Sequence, residues 1–485
     1  MNKLVIIVLI FLCQASYSQR TFSKDELRAD AEILFQALNE LHPGLYRHSD
    51  TATIETTYYE LQNAFSDGID EETAFLYFSA FIARVKCGHT YPNPFNQKNN
   101  IIPSVINQSV LLPFTFAIIN NQIVVDKPLD DKIKKHTVIT HLNGIEVENI
   151  VDSLTHFIKA DGNRTRKRMK DLEVQLTSKY EYFDYYFPMV YNFADSIKVS
   201  TQKGDTITLQ LLTKGKRDSI YTKSYPNSNM SNYDNLWSKE INEEYAYLRL
   251  GTFVTWRLSF DWKDYLEDFF DELQFKGIED LIIDIRGNEG GLTEVTEYLV
   301  SKLAKVEGET VFRKPHLAYK KVNDNLRPYL TTWSKWFYNT SLWTKKLKDN
   351  YRTIKFSANK AQRIKKNKNA FRGDSYLLID ESNSSATFIL AEICKKNNYA
   401  TLIGTETGGT KKGITAGQIF FLTLPNTKIE VDIPLIGRYP MKSLVDEGIK
   451  PDVWVAGTLQ GYISNRDEQL EKAIEMINKT GYNNV

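Results

Sequence analysis

At 485 residues the chain exceeds what one ordinary hydrophobic core supports, and two or three domains are expected. Hydrophobic residues make up 42% and charged residues 25%, which excludes a disordered or fibrous protein. A formal net charge of +1 gives the whole chain no field that would attract nucleic acid, and no nucleic-acid partner is expected.

Residues 1–18 read as a secretory signal peptide. Lys3 gives a positive start, Leu4 to Leu12 is apolar, and Ser16 and Ser18 are the small residues before a cut at Gln19. The apolar run is about half the length that a bilayer span needs, so an exported protein, periplasmic or secreted, with no stable membrane span is expected. Cys13 follows Phe11 and Leu12, where a lipidation site needs small residues. Cys87 and Cys394 remain, and their spacing decides nothing about a bridge. No Cys/His group has zinc spacing and no His-Glu-x-x-His occurs, so neither a metal nor another cofactor is expected.

Residues 19–100 carry a helical pattern. Leu27, Ala31, Leu34, Leu38 and Leu41 recur at three- and four-residue steps, as do Phe75, Phe78 and Ile82. His42-Pro43-Gly44 breaks the first helix, and Cys87-Gly88-His89-Thr90 follows the last. Over residues 101–225 short strands alternate with polar turns. Phe114 to Ile118, Asn120-Asn121 and Gln122 to Val125 spell a hairpin. Val138 to Leu142, the turn Asn143-Gly144 and a helix through Ile150, Leu154 and Ile158 follow. That succession resembles the second half of a PDZ domain, with Lys135-His136 in place of the usual Gly-Asp and Asp161 to Asp195 as an insertion. A PDZ-like α+β middle domain is the expectation; a small α+β domain that binds no peptide is the other reading.

Residues 226–475 read as α/β. Leu281 to Arg286, Tyr376 to Asp380 and Thr401 to Gly404 are buried strands, the first two each followed by a turn and a helix. A mainly parallel sheet follows, with chemistry at the strands' C-terminal ends. Within this region, residues 313–372 hold seventeen Lys or Arg against Asp324 and Asp349, interleaved with Trp333, Trp336, Phe337 and Trp343. A helical insertion with solvated cations is preferred to a basic, aromatic wall for an anionic partner.

Two turns could carry chemistry. In Asp284-Ile285-Arg286-Gly287-Asn288-Glu289-Gly290-Gly291, paired glycines let backbone N–H groups approach a substrate oxygen. In Asp380-Glu381-Ser382-Asn383-Ser384-Ser385-Ala386, a hydroxyl stands at a helix N-terminus, where the backbone field favours developing negative charge. Taken alone, such a serine is most often a cap.

The order of these two turns, then Gly404-Thr405-Glu406-Thr407-Gly408-Gly409 and Glu447-Gly448-Ile449-Lys450-Pro451-Asp452, resembles the C-terminal-processing and tricorn-core serine peptidases. Leu41 to Tyr46 and Gly88-His89-Thr90 resemble the leader of the tricorn-like branch. The resemblance implies a catalytic domain of the crotonase and Clp protease type and an acyl-enzyme on Ser385, with Ser384 as a rival shifted by one residue. It implies oxyanion N–H groups from Gly290 or Gly291 and from Ala386. Thr410 stands where the processing branch has its lysine, which disfavours a Ser–Lys pair with the adjacent Lys411 or Lys412. His89 matches the tricorn-like general base, with Asp446 or Glu447 as the acid that orients it and Gly88 where that branch has a serine. The implied function is an exported serine peptidase acting on peptide or protein; the alternative is an inactive peptidase-fold protein that binds peptide or envelope ligands. Oligomeric state is left open.

Overall fold

A computed structural model of the chain describes residues 20–97, 101, 105–107, 110–176, 178–226, 232–347 and 350–482, so the expected signal peptide lies outside the described residues. Three helices open the chain: α1 (Lys24–Leu41), α2 (Thr51–Ala64) and α3 (Glu71–Ala83). Each begins at a side-chain cap. Ser23 forms a capping box with Glu26, while Asp50 and Asp70 accept from the N–H groups of Thr53 and Thr73. The predicted stripe Leu27, Ala31, Leu34, Leu38 and Leu41 is the buried face of α1.

The middle region is a sheet of β1 (Phe114–Ile119), β2 (Gln122–Pro128), β3 (Val138–Leu142), β4 (Ser196–Thr201) and β5 (Thr206–Gln210), antiparallel in that order. Asn120 and Asn121 both have positive φ, at 50° and 60°, and Asn143-Gly144 has 48° and 81°. These are the conformations that two-residue hairpin loops demand. After the second turn comes α4 (Val147–Thr155), with Ile150, Val151 and Leu154 buried. The expected insertion is helical, holding α5 (Thr165–Asp171) and α6 (Tyr182–Tyr191), and α7 (Lys214–Ser224) leads out.

The α/β region is built on β6 (Trp237–Ile241), β7 (Ala246–Leu250), β8 (Asp280–Asp284), β9 (Asp374–Ile379) and β10 (Thr401–Gly404). Beyond them, β11 (Ile414–Thr423) and β12 (Glu430–Tyr439) make a long antiparallel hairpin, and β13 (Val453–Trp454) is short. The sheet order is β13-β10-β9-β8-β7-β6, parallel except for β6. Helices α8 (Trp262–Lys276), α9 (Thr293–Leu303) and α10 (Ser385–Asn397) bury Leu266, Leu299 and Leu390 with Leu281 and Ile283. Helix α11 (Glu468–Tyr482) buries Ala473 and Ile477 with Ile282, which points the other way. A parallel sheet covered on both faces has this near-continuous apolar strand composition.

The basic segment 313–372 is not a helical insertion. Its described residues form short strands and 3₁₀ turns, because Lys314–His316 pairs with β12 and Leu330–Thr331 with β11. The segment therefore extends the hairpin into a four-stranded sheet. That hairpin also ties the regions together. Phe420 and Ile433 share one apolar core with Leu34 and Phe78 of the helices and Phe116 and Val199 of the middle sheet.

Candidate active site

Strands β8 and β9 are parallel neighbours, so the loops leaving their C-terminal ends meet. Asp380 N–H donates to Asn383 Oδ1 (2.8 Å) and closes the second loop into a tight turn. The Asp380 carboxylate accepts from Gly287 N–H (3.1 Å), and Asn383 Nδ2 donates to Ile285 O and Asn288 O. Thr387 Oγ1 donates to Asn288 O at 2.9 Å. Asp380, Asn383 and Thr387 thus brace one loop against the other.

The two serines then differ. Ser384 is extended, is 7% exposed and donates its hydroxyl to Glu289 O at 3.1 Å. Ser385, the first residue of α10, has φ of 50°. Left-handed backbone is costly for a residue with a Cβ and clusters at functional turns. Among the described residues no hydrogen bond reaches Ser385 Oγ.

Gly290 lies directly behind that turn, at φ of 107°. A Cβ there would sit 2.9 Å from Ser385 Cβ, Ala386 N and Ser384 O. The N–H groups can be counted. Gly290 N–H donates to Asn288 Oδ1 at 2.8 Å. Gly291 N–H and Ala386 N–H have no hydrogen-bond partner among the described residues. Ala386 belongs to the first turn of α10, whose N–H groups find no acceptor within the helix.

His89 sits in the segment that leaves α3, and this segment is pinned to the long hairpin. Asn93 and Asn96 each donate to the Asp432 carboxylate (2.8 Å), Asp432 N–H donates to Tyr91 O, and Gln97 exchanges hydrogen bonds with the Glu430 backbone. His42 holds the other side. Its Nδ1 accepts from Gly44 N–H (3.1 Å), so its proton is on Nε2, which donates to Thr90 Oγ1 at 2.9 Å. Burial pushes the His42 imidazole down to about 3. The His-Pro-Gly motif is thereby a brace for the Gly-His-Thr turn.

At His89 the Nδ1 atom is buried and has no hydrogen-bond partner among the described residues. Burial depresses the imidazole's pKa, opposed by the nearby carboxylates of Asp161 and Glu289, and the ring is neutral at ordinary pH. Donor atoms of Cys87, His89 and Asp161 lie within 4.8 Å of one another, and Asp161 Oδ1 accepts from Gly88 N–H at 2.8 Å. Asp161 was not foreseen, because it opens the segment read as an insertion and carries no motif. Glu289 joins the same network: its carboxylate is 3.2 Å from Lys167 Nζ, which also pairs with Asp171 at 3.0 Å. Lys167 and Lys159 hold the Glu289 carboxylate low. No hydrogen bond joins His89 to Ser385 among the described residues; the Glu289 carbonyl holds Ser384, and the Glu289 carboxylate interacts electrostatically with His89.

The acids expected to orient His89 are engaged elsewhere. Asp446 accepts from Thr410 Oγ1 (2.9 Å) and Asn163 N–H (3.1 Å), and lies 3.6 Å from His48 Nδ1 and 3.5 Å from Arg164. The Thr410 hydroxyl is thus engaged by this carboxylate. Glu447 pairs with Lys411 (2.9 Å) and Lys450 (3.0 Å), so Lys411 is committed away from Ser385 as well. A cavity of about 400 Å³ opens beside the glycine loop, lined by Gly290, Glu289, Lys159, Tyr91, Tyr182 and Tyr233 among others.

Residues 244–455 match the family model described as Peptidase family S41. No curated protein matches the chain. Among solved structures, a CPAF mutant aligns with TM-score 0.63 at 13% identity, covering 94% of this chain and 96% of that one. Mature CPAF aligns with TM-score 0.60 at 12% identity, covering 94% and 96%. At such identities the structural likeness speaks for the fold alone, a mixed α/β fold of S41 peptidase type with a PDZ-like region. The family match supplies the chemistry: a serine-type peptidase.

Proposed function

We propose that this serine-type peptidase hydrolyses peptide bonds through an acyl-enzyme on Ser385, with His89 as general base and Gly291 and Ala386 as the oxyanion donors. The observation that carries the reading is the strained Ser385 at the start of α10, its hydroxyl and the N–H groups of Gly291 and Ala386 having no hydrogen-bond partner among the described residues. In this scheme His89 takes the Ser385 proton as Oγ attacks the scissile carbonyl. The carbonyl oxygen becomes an oxyanion held by two donors, and the imidazolium returns the proton to the leaving amine. Water then repeats the sequence on the ester.

Asp161 serves in this scheme where Asp446 or Glu447 was expected, orienting the ring and stabilising the imidazolium. Its proximity to His89 and its anchorage on Gly88 N–H support the assignment. The missing Ser385–His89 hydrogen bond is the observation behind the alternative, a binding protein that has lost catalysis. Such bonds are often long before substrate arrives. The cavity beside Gly290 is where peptide would lie, and the PDZ-like sheet is a further place to grip it. We read the α/β domain as crotonase-type and the protein as exported; no described helix is long and apolar enough to cross a membrane.

Incubation with a peptide library tests the proposal. Cleavage by the wild type that is lost in Ser385→Ala and kept in Ser384→Ala supports it. A wild type that cleaves nothing, or an active Ser385→Ala, contradicts it.

A further inference from the structure

Cys87, His89 and Asp161 bring a thiol, an imidazole and a carboxylate together from two distant stretches of chain. Cys87 is 5% exposed and Asp161 4%, and the His89 Nδ1 atom is buried without a hydrogen-bond partner among the described residues. Cys87 Sγ donates to Thr415 O at 3.7 Å, and a cation that binds the sulfur displaces that proton. Thiolate sulfur, imidazole nitrogen and carboxylate oxygen are the donor types that tetrahedral zinc takes, with bonds of roughly 2.0–2.3 Å. Three donor atoms within 4.8 Å of one another need shifts on the order of 1 Å to close on such an ion. Lys159, which donates to Gly88 O at 2.9 Å, is the cation beside the cluster, and its charge works against a second one. A thiolate and a carboxylate together outweigh it.

We propose that this cluster is an inhibitory site for a soft divalent cation of the zinc type. The ion binds Cys87 Sγ, one ring nitrogen of His89 and an Asp161 oxygen, and the thiol proton leaves to solvent. A neutral imidazole has one free lone pair and one N–H. Once the lone pair is donated to the ion, neither nitrogen can accept the Ser385 proton, and acylation stops. Inhibition rests on His89 being the general base; ion binding does not.

The experiment separates these two. Cobalt(II) is titrated into the full chain while thiolate-to-cobalt charge-transfer absorption is followed, and zinc is titrated into the peptidase assay. A charge-transfer band is expected in the wild type, in Ser385→Ala and in Cys394→Ser, and none in Cys87→Ser or His89→Ala. Zinc is expected to inhibit reversibly, with restoration by EDTA. Cys87→Ser should keep its activity without zinc and raise the half-inhibiting zinc concentration by at least about tenfold. Thermal melting checks that each variant is folded. Absence of the band in a folded wild type overturns the site whatever the peptidase does. A band in the wild type with zinc inhibition unchanged in Cys87→Ser overturns the inhibitory role. If the wild type cleaves no peptide, the cobalt result still decides the site, and only the proposed function has failed.

Discussion

Ser384 and Ser385 are adjacent, chemically identical and embedded in one turn, yet among the described residues only the Ser384 hydroxyl finds a hydrogen-bond partner. Backbone conformation makes the difference: extended at Ser384, left-handed at Ser385. Gly290 enforces the arrangement from behind. In Gly290→Ala the new methyl would meet Ser385 Cβ and Ala386 N at 2.9 Å and force an unfavourable φ as well. The expected result is a folded protein whose kcat/KM falls about 100–1000-fold, the scale of losing an oxyanion donor. Steady-state kinetics on a cleaved peptide, with a melting curve as control, reads it. At this scale the sequence was informative where glycines and serines fall in motifs: it named Ser385, with Ser384 as rival, and Gly290 or Gly291 with Ala386, which the proposed scheme uses. It could not say which glycine N–H is free, since that depends on the Asn288 side chain folding back on Gly290. Nor could it find Asp161, because proximity to His89 comes from how α4 and its following loop return to Gly88.

Among the elements, the segment from Cys87 to Gln97 matters most, because it delivers a residue of the helical region to the α/β site. Its brace through His42 is pH-dependent. The imidazole titrates at about 6.5 when unfolded and near 3 when folded, so the native state resists the proton. Stability from this group is fully present above pH 6.5 and is lost as pH falls toward 3, with a slope of at most about 1.4 kcal/mol per pH unit. His89, also shifted down, adds in the same sense. Denaturant melts from pH 7.5 to 4.5 should show this slope in the wild type and a shallower one in His42→Gln. A second brace is Asp30 of α1, whose buried carboxylate accepts from the N–H groups of Asn426 (2.8 Å) and Thr427 (2.7 Å) and from Thr427 Oγ1. Asp30→Ala leaves several donors stranded, at about 1–3 kcal/mol each, and should lower the melting temperature clearly. Helices and hairpin turns were legible from periodicity and Asn/Gly pairs. The basic segment was misread as helical because its pairing partners lie some hundred residues downstream, and long-range pairing overrides local pattern.

For the whole molecule, the three regions read from the sequence do not each keep a core of their own. The apolar cluster of the N-terminal helices runs through the middle sheet and into β11 and β12 of the α/β region. Expressed alone, residues 226–485 would expose Phe420, Leu422, Ile433 and Leu435, all buried in the full chain. The fragment is therefore expected to aggregate, and to lose His89 in any case; gel filtration of fragment against full chain reads this. In the proposed scheme the same architecture lets Ser385 of the α/β region and His89 of the N-terminal region serve one site. The most direct measurement is labelling of the folded full chain with a fluorophosphonate, followed by peptide mapping of the adduct. The adduct should lie on Ser385, form in Ser384→Ala, and form far more slowly in His89→Ala. An adduct on Ser384, or none at all on the folded wild type, would contradict the account.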